Sequence, residues 1–103
     1  MKNKRLSFRQ EQIMAVLWEN GPMTVSQIQS KLDEPFHYNT VSTFVRGLKK
    51  IGMVTHIDNR KPYKYACFIQ KYQYINMRIK ELIKFYFDKN KKQFIEYLIN
   101  KEL

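Results

Sequence analysis

The stretch "YNTVSTFVRGLKKIG", from Tyr38 to Gly52, decides the fold because its apolar residues recur at helical spacing. At about 100° per residue, these residues fall within one sector roughly 120° wide, which predicts a core-facing stripe. The stripe contains Val41, Phe44, Val45, Leu48 and Ile51. Gly52 follows at the place where a glycine commonly ends a helix.

The polar face of the same stretch carries no acidic residue, whereas a solvated helix usually mixes glutamates with lysines. It displays short hydrogen-bonding side chains beside basic ones, namely Asn39, Ser42, Thr43, Arg46 and Lys50. This composition favours a partner that brings negative charge and hydrogen-bonding groups.

The whole chain is strongly basic, since 19 Lys and Arg residues oppose 9 Asp and Glu residues and give a formal net charge of +10. Its 103 residues fit one domain, or one small domain with an oligomerisation element. Hydrophobic residues make up 44% of the chain, which is enough for a packed core. The charge favours a nucleic acid or an anionic membrane surface as the partner.

The single cysteine and the hydropathy of the sequence indicate the cellular location of the protein. Cys67 is the only cysteine of the sequence, so it cannot form an internal disulfide, and it is compatible with a reducing cytosol. The basic N-terminus "MKNKRLSFRQ" is not followed by an apolar run, so it predicts no signal peptide. No apolar stretch approaches the ~20 residues of a membrane span. We therefore expect a cytoplasmic protein without membrane insertion.

Two further helices are predicted ahead of the opening stretch, because each begins with a capping box. Ser7 with Gln10 starts the first, and "NGP" at 20–22 ends it. Thr24 with Gln27 starts the second, shorter helix.

After the third helix the apolar period changes to two, which predicts a hairpin. Its strands are "MVTHID" and "YKYACF", and "NRKP" at 59–62 forms a cationic tip. Three helices and a hairpin describe a winged helix-turn-helix over residues 1–70, so the fold class is mainly α with a small β-hairpin. The third helix, at about 39–51, is expected in the major groove, with the wing on the DNA backbone or in the minor groove.

Nine residues on the third helix and the wing are the candidate DNA contacts. Arg46 can bond a guanine bidentately or pair with a phosphate, while the short polar side chains can read base edges or anchor phosphates. Tyr38 is expected either at a phosphate or packed against the first helix. The full set is Tyr38, Asn39, Thr40, Ser42, Thr43, Arg46, Lys50, Arg60 and Lys61.

The C-terminal region, residues 71–103, is predicted to form two helices that hold a second copy of the chain. Apolar residues cover more of "YQYINMRIKELIKFYF" than one small domain can bury, and "DKNKK" at 88–92 separates it from the last helix. An isologous homodimer is the simplest explanation, and a core helix of a single domain is the alternative. The expected dimerisation residues are Ile75, Ile79, Leu82, Ile83, Tyr86, Phe94 and Leu98.

From about Glu11 to Phe68 the sequence resembles the BlaI/MecI penicillinase repressors. The segments that carry this resemblance are "IMAVLWENGPMTVSQI", "YNTVSTFVRGLKKIGMV" and "RKPYKY". The resemblance implies a bacterial homodimeric repressor that binds inverted repeats with TACA/TGTA half-sites. It also implies an upstream partner, since in the type members a membrane sensor triggers proteolysis within the dimerisation region.

Two features depart from that family. The chain ends at Leu103, soon after the fifth predicted helix, whereas the family usually continues into another helix. The sequence also lacks an Asn-Phe pair of the kind that is cleaved in the type members. These departures leave open the size of the dimer interface, induction by cleavage, and β-lactam resistance as the regulated process.

Other functional classes receive less support. His37, His56 and Cys67 lack the companions of a metal site, and no nucleophile-base pair or phosphate loop is present, so we expect no metal, no cofactor and no enzyme. One alternative is a basic amphipathic protein that lies on anionic membranes, with Lys80 and Lys84 at the headgroups. A second is a winged-helix module that binds only protein.

Overall fold

The computed structural model describes residues 5–101 and contains five helices and a two-stranded antiparallel hairpin. The elements are α1 (Phe8–Asn20), α2 (Val25–Lys31), α3 (Tyr38–Lys50), β1 (Val54–His56), β2 (Tyr65–Cys67), α4 (Lys71–Tyr86) and α5 (Lys91–Asn100). The chain divides into two compact units, one ending at Lys71 and one beginning at Tyr72. The predicted fold class, mainly α with a hairpin, is confirmed.

Both predicted capping boxes are present, and they explain where α1 and α2 begin. The Gln10 amide N–H donates to the Ser7 hydroxyl at 3.2 Å, and the Ser7 N–H donates to the Gln10 side chain at 3.0 Å. Thr24 and Gln27 repeat this arrangement at the start of α2. These reciprocal bonds satisfy amides that would otherwise lack partners in the first turn.

The third helix buries the stripe that the sequence predicts. Val41, Val45 and Leu48 are buried, and Phe44 and Ile51 are half-buried. The N–H of Gly52 bonds the carbonyl of Lys49 at 3.1 Å, and Gly52 has φ +83°, a left-handed conformation that glycine adopts without strain. Because the buried stripe fixes the rotation of α3 about its axis, the opposite polar face must point outward.

The core of the first unit is built from one side of each of the three helices. Its largest fully buried side chains are Ile13, Met14 and Leu17 of α1, Ile28 of α2, and Val41, Val45 and Leu48 of α3. Removing a side chain of this size from water stabilises the fold by about 1.5–3 kcal/mol. Among residues 5–101 no polar or charged residue is buried.

The hairpin is shorter than the alternating pattern predicts. Val54 pairs with Cys67 and His56 with Tyr65, which leaves an eight-residue connection at the wing. A third segment joins it, because Met23 and Tyr65 exchange backbone hydrogen bonds of 3.0 and 2.8 Å. The connection between α1 and α2 is thereby tied to the wing.

The second unit contains an aromatic cluster at the turn between its helices. The ring of Phe87 lies 5.5 Å from that of Phe94 and 5.6 Å from that of Tyr97, measured between centroids. Asp88 and Lys89 take positive φ angles in the turn, and the Asn90 side chain caps α5. The break that the sequence predicts between the last two helices is therefore present.

The fourth helix buries residues other than those of the predicted stripe. Its buried residues are Tyr74 and Met77. Of the predicted stripe, Ile75 and Ile79 are half-buried, whereas Leu82 is 39% exposed and Tyr86 is 75% exposed. The stripe is the side of α4 that this chain leaves partly uncovered.

Candidate nucleic-acid interface

Hydrogen bonds between neighbouring turns of the helix restrain the side chains on the outward face of α3. The Thr43 hydroxyl donates to the Asn39 carbonyl at 2.8 Å. The guanidinium of Arg46 donates to the Thr43 hydroxyl at 3.3 Å and to the Ser42 carbonyl at 3.4 Å. Arg46 therefore lies along the helix, one turn from the polar residues that precede it.

This arrangement restrains Arg46 without using up its donors. A guanidinium carries five N–H donors in a planar fork, and the two recorded bonds use only part of that set. Both bonds are at the long end of the normal range, so DNA can replace them at little cost. An exposed arginine whose conformation is already restricted loses less entropy when it binds a planar partner.

An open groove of about 780 Å³ lies between α3, the start of α2 and the wing. Three elements that are distant in sequence meet here, since the Met23–Tyr65 bridge ties the start of α2 to the wing. The groove is lined by Thr24, Val25, Ser26, Tyr38, Ser42, Arg46, Lys61, Pro62, Tyr63 and Tyr65.

One side of the groove is aromatic. The ring of Tyr63 meets that of His56 edge-on at 4.4 Å and that of Tyr65 at 6.4 Å. Burial raises the pKa of the Tyr65 phenol, as does the neighbouring Tyr63, while Arg46 opposes the shift. Tyr65 is therefore a neutral hydrogen-bonding group at physiological pH, and Arg46 lies close enough to influence it.

The wing tip is ordered by a local turn. The backbone N–H of Arg60 donates to the carboxylate of Asp58 at 2.9 Å, a bond of the kind that stabilises short turns. Arg60 and Lys61 are both exposed. Lys61 lines the groove and Arg60 does not, so the two cations that the sequence pairs occupy different positions.

Over a long stretch of the sequence beside the groove, the charged side chains are all positive. Residues 38–57 contain three basic side chains, Arg46, Lys49 and Lys50, and no acidic one. Coulombic attraction in such a cleft raises the local concentration of polyanions and speeds their association. The surface between helix and wing thus suits a phosphodiester backbone.

The structure brings together only part of the predicted contact set. Tyr38, Ser42, Arg46 and Lys61 line the groove, and this places Tyr38 beside the wing tyrosines. Asn39, Thr40, Thr43 and Lys50 are exposed elsewhere on α3.

Sequence reasoning missed six residues that line the groove: Thr24, Val25, Ser26, Pro62, Tyr63 and Tyr65. The sequence could have indicated Tyr63 as a groove residue, because Tyr63 directly follows the cationic tip of the wing. The start of α2 carried no such signal, since contacts between residues far apart in sequence bring it beside the wing, the Met23–Tyr65 bridge among them.

The profile of the penicillinase repressor family matches residues 6–103, nearly the whole chain. The chain belongs to the penicillinase repressor family. The protein is therefore a DNA-binding transcriptional repressor with a winged-helix fold, and its family is one of regulators rather than enzymes. The resemblance found in the sequence is confirmed.

Solved structures of other regulators share the fold. A MarR family protein from Bacillus stearothermophilus superposes with a TM-score of 0.57 at 15% identity, over 92% of this chain and 69% of that one. A structure of disulfide-formed AbfR superposes with a TM-score of 0.52 at 19% identity, over 93% of this chain and 74% of that one. At these identities the likeness shows the fold alone. No curated protein sequence matches the chain significantly.

The described residues offer neither a metal-binding cluster nor a membrane-spanning helix. Within residues 5–101, no group of three or more His, Cys, Asp or Glu residues is placed to hold a metal ion. None of the helices in the part of the chain that the structure describes is long and apolar enough to cross a membrane.

Proposed function

We propose that this repressor binds an inverted-repeat operator as a homodimer, with α3 in the major groove and the wing on the adjacent backbone or minor groove. The observation that carries the proposal is the groove between α3 and the wing, which has Arg46 on one side and Lys61 on the other. A winged-helix protein that places its third helix in the major groove brings one DNA strand past such a groove.

The outward face of α3 supplies the base contacts in this arrangement. Arg46 offers a planar fork to the O6 and N7 atoms of a guanine, and Asn39 offers an amide that matches adenine. Thr43 can place its methyl group against a thymine methyl while its hydroxyl keeps the bond to the Asn39 carbonyl. Ser42 and Tyr38 line the groove and are suited to phosphate oxygens.

The apolar surface of the second unit supports a homodimer. Helix α5 has no buried residue, and four apolar side chains of α4 are exposed, namely Tyr72, Leu82, Phe85 and Tyr86. Exposed apolar patches on this scale usually mark an interaction site. A second copy of the chain covers such a surface by symmetry, and it places two copies of α3 on two half-sites.

The cellular setting is inferred from the family likeness. We place the protein in the cytoplasm of a bacterium, with an upstream sensor or protease as the inducing partner. The sequence contains no Asn-Phe pair, so the inducing step need not be the cleavage known from the type members.

The test is a footprint on the promoter beside the protein's own gene, followed by titration of the protected duplex. A second probe is an inverted repeat of TACA and TGTA half-sites. The control duplexes keep the length and base composition but scramble both half-sites. We expect salt-dependent binding that favours the intact repeat, with two chains per duplex by sedimentation.

Two results would contradict the proposal. Equal affinity for intact and scrambled duplexes would show that the protein does not read sequence. Strong flotation with anionic liposomes, together with no duplex binding, would favour the membrane-surface alternative instead.

A further inference from the structure

The start of α3 differs from the starts of three other helices, because it lacks a side-chain cap. Helices α1, α2 and α5 each begin with a side chain that accepts a bond from the first turn. His37 occupies the same position before α3 and makes no such bond within the described part of the chain. The first turn of α3 carries Tyr38, Asn39 and Thr40, so something else must hold the candidate contacts in place.

Arg9 of α1 makes two contacts with the segment leading into α3, and it is also bonded to its own helix. Its guanidinium donates to the Glu34 carboxylate at 2.9 Å. The same group lies over the ring of Phe36, 4.8 Å from the centroid. It also donates to Gln12 at 3.0 Å, which fixes it to its own helix. Arg9 thus connects α1 to both residues that flank Pro35, two to four residues before α3 begins.

A second tie comes from α2. The side-chain amide of Gln29 donates to the carbonyl of Phe36 at 2.8 Å. Phe36 is therefore held at its ring by Arg9 and at its backbone by Gln29. Beneath it lies a small apolar cavity, also lined by Val41 and Phe44 from the core side of α3. The same contacts that hold Phe36 therefore adjoin the buried face of α3.

We propose that Arg9 is a positioning residue that fixes the start of α3 and, through it, the protein's choice of bases. The inference rests on the proposed function of α3 as the element that reads the operator. Arg9 performs this role through Glu34 and Phe36, without touching DNA itself. Sequence-reading side chains must be held within about 0.5 Å of their productive geometry, so weak contacts at the entry to a helix can govern discrimination.

An arginine is required at this position by the geometry of the contacts. The guanidinium is planar, so it can stack on Phe36 while its edge bonds Glu34 and Gln12. A lysine keeps the charge but presents a compact ammonium that cannot do both. Arg9→Lys should therefore behave like Arg9→Gln rather than like the parent.

The experiment measures a specificity ratio, which is the affinity for the footprinted operator divided by that for the duplex with scrambled half-sites. The variants are Arg9→Gln, Arg9→Lys, Glu34→Gln and the double variant Arg9→Gln with Glu34→Gln. Lys31→Gln, at an exposed position of α2, removes the same charge and serves as the control. Each titration is repeated at several salt concentrations, and thermal unfolding checks that every variant is folded.

The Arg9 and Glu34 side chains are 37% and 53% exposed, so we expect the ratio to fall by about fivefold at most in Arg9→Gln and in Glu34→Gln. It should fall no further in the double variant, because the residues act through one network. In Arg9→Gln, binding to the scrambled duplex and its salt dependence should match those of the Lys31→Gln control, which loses the same charge. Glu34→Gln keeps Arg9 in place, so its loss of specificity cannot come from a missing arginine–DNA contact.

Two other outcomes would overturn the positioning role, and a third would overturn the proposed function. If the parent distinguishes the two duplexes and Arg9→Gln has the same specificity ratio as the parent, the positioning role alone would be overturned. An equal loss on both duplexes, with a salt slope lower by about 0.9, would make Arg9 a phosphate contact and overturn the same role. A parent that does not distinguish the two duplexes would overturn the proposed function itself.

Discussion

Replacing Arg46 by alanine should weaken operator binding and relax base preference while leaving the fold intact. Arg46 is exposed, and its two recorded bonds go to residues of its own helix, at 3.3 and 3.4 Å. Substitutions at such a surface position usually change stability by less than about 0.5 kcal/mol. Any larger effect on binding must therefore come from contacts with DNA.

The expected size follows from the geometry of the contact. A bidentate arginine–guanine pair discriminates by about 1–3 kcal/mol, which is roughly 5- to 150-fold in affinity. The bonds to Thr43 and Ser42 are long and do not narrow that range, because DNA can replace them at little cost. A phosphate contact, in contrast, would cost less and would affect all duplexes alike.

The assay titrates parent, Arg46→Ala and Lys49→Ala with the operator and with a set of single-base variants. Lys49 is three residues away, exposed and of the same charge, so it controls for electrostatics. We expect Arg46→Ala to lose preference at one base pair per half-site, and Lys49→Ala to keep every preference. Unchanged operator affinity in Arg46→Ala would remove this residue from the interface and refute the reasoning.

Three further predictions test the wing, the dimer and the cysteine. Arg60→Ala with Lys61→Ala should weaken binding to all duplexes and flatten the slope of log K against log salt by about 2; an altered base preference at constant slope would make the wing a base reader. Leu82→Asp should yield a monomer by sedimentation with weak half-site binding, since it places an unpaired charge in the proposed interface, whereas Asn76→Asp on the same helix should stay dimeric. Cys67 should react slowly with iodoacetamide at pH 8 and faster as the pH rises, because burial raises the pKa of its thiol to about 11; a rate equal to that of a free cysteine would contradict this.

The first three helices could be predicted because their signals are local. Capping boxes and a period of 3.6 lie within a few residues of each other, and the buried side chains Val41, Val45 and Leu48 are those that the pattern selects. The groove could not be predicted in the same way. It brings together α2, α3 and the wing, and one of the contacts between them is a pair of backbone hydrogen bonds between Met23 and Tyr65. These residues are 42 positions apart in sequence, so the contact leaves no periodic trace.

The fourth helix shows a second limit of pattern reading. Its apolar residues extend over more than one face, so periodicity alone cannot say which face this chain buries. The most regular stripe runs through Ile79 and Leu82, yet Tyr74 and Met77 are the residues that are buried. An interface with a second copy has the same apolar signature as a core, and one sequence does not distinguish them.

One side of helix α3 packs in the core and the opposite side faces outward. Substitutions on the two sides should therefore have different effects. Val45 is buried against the core, whereas Arg46, the next residue, points outward. Shortening Val45 should lower the free energy of unfolding and impair recognition only through loss of position. Changing Arg46 should impair recognition without loss of stability.

Arg9 belongs to neither class, because it is outside the core and outside the interface, yet it holds the turn on which the outward face depends. A neutral base contact such as Asn39 should also lose base discrimination at an unchanged melting temperature and salt slope, so the combination by itself does not identify a positioning residue. Glu34→Gln makes the distinction, because it disturbs the turn through the bond to Arg9 while Arg9 itself is retained.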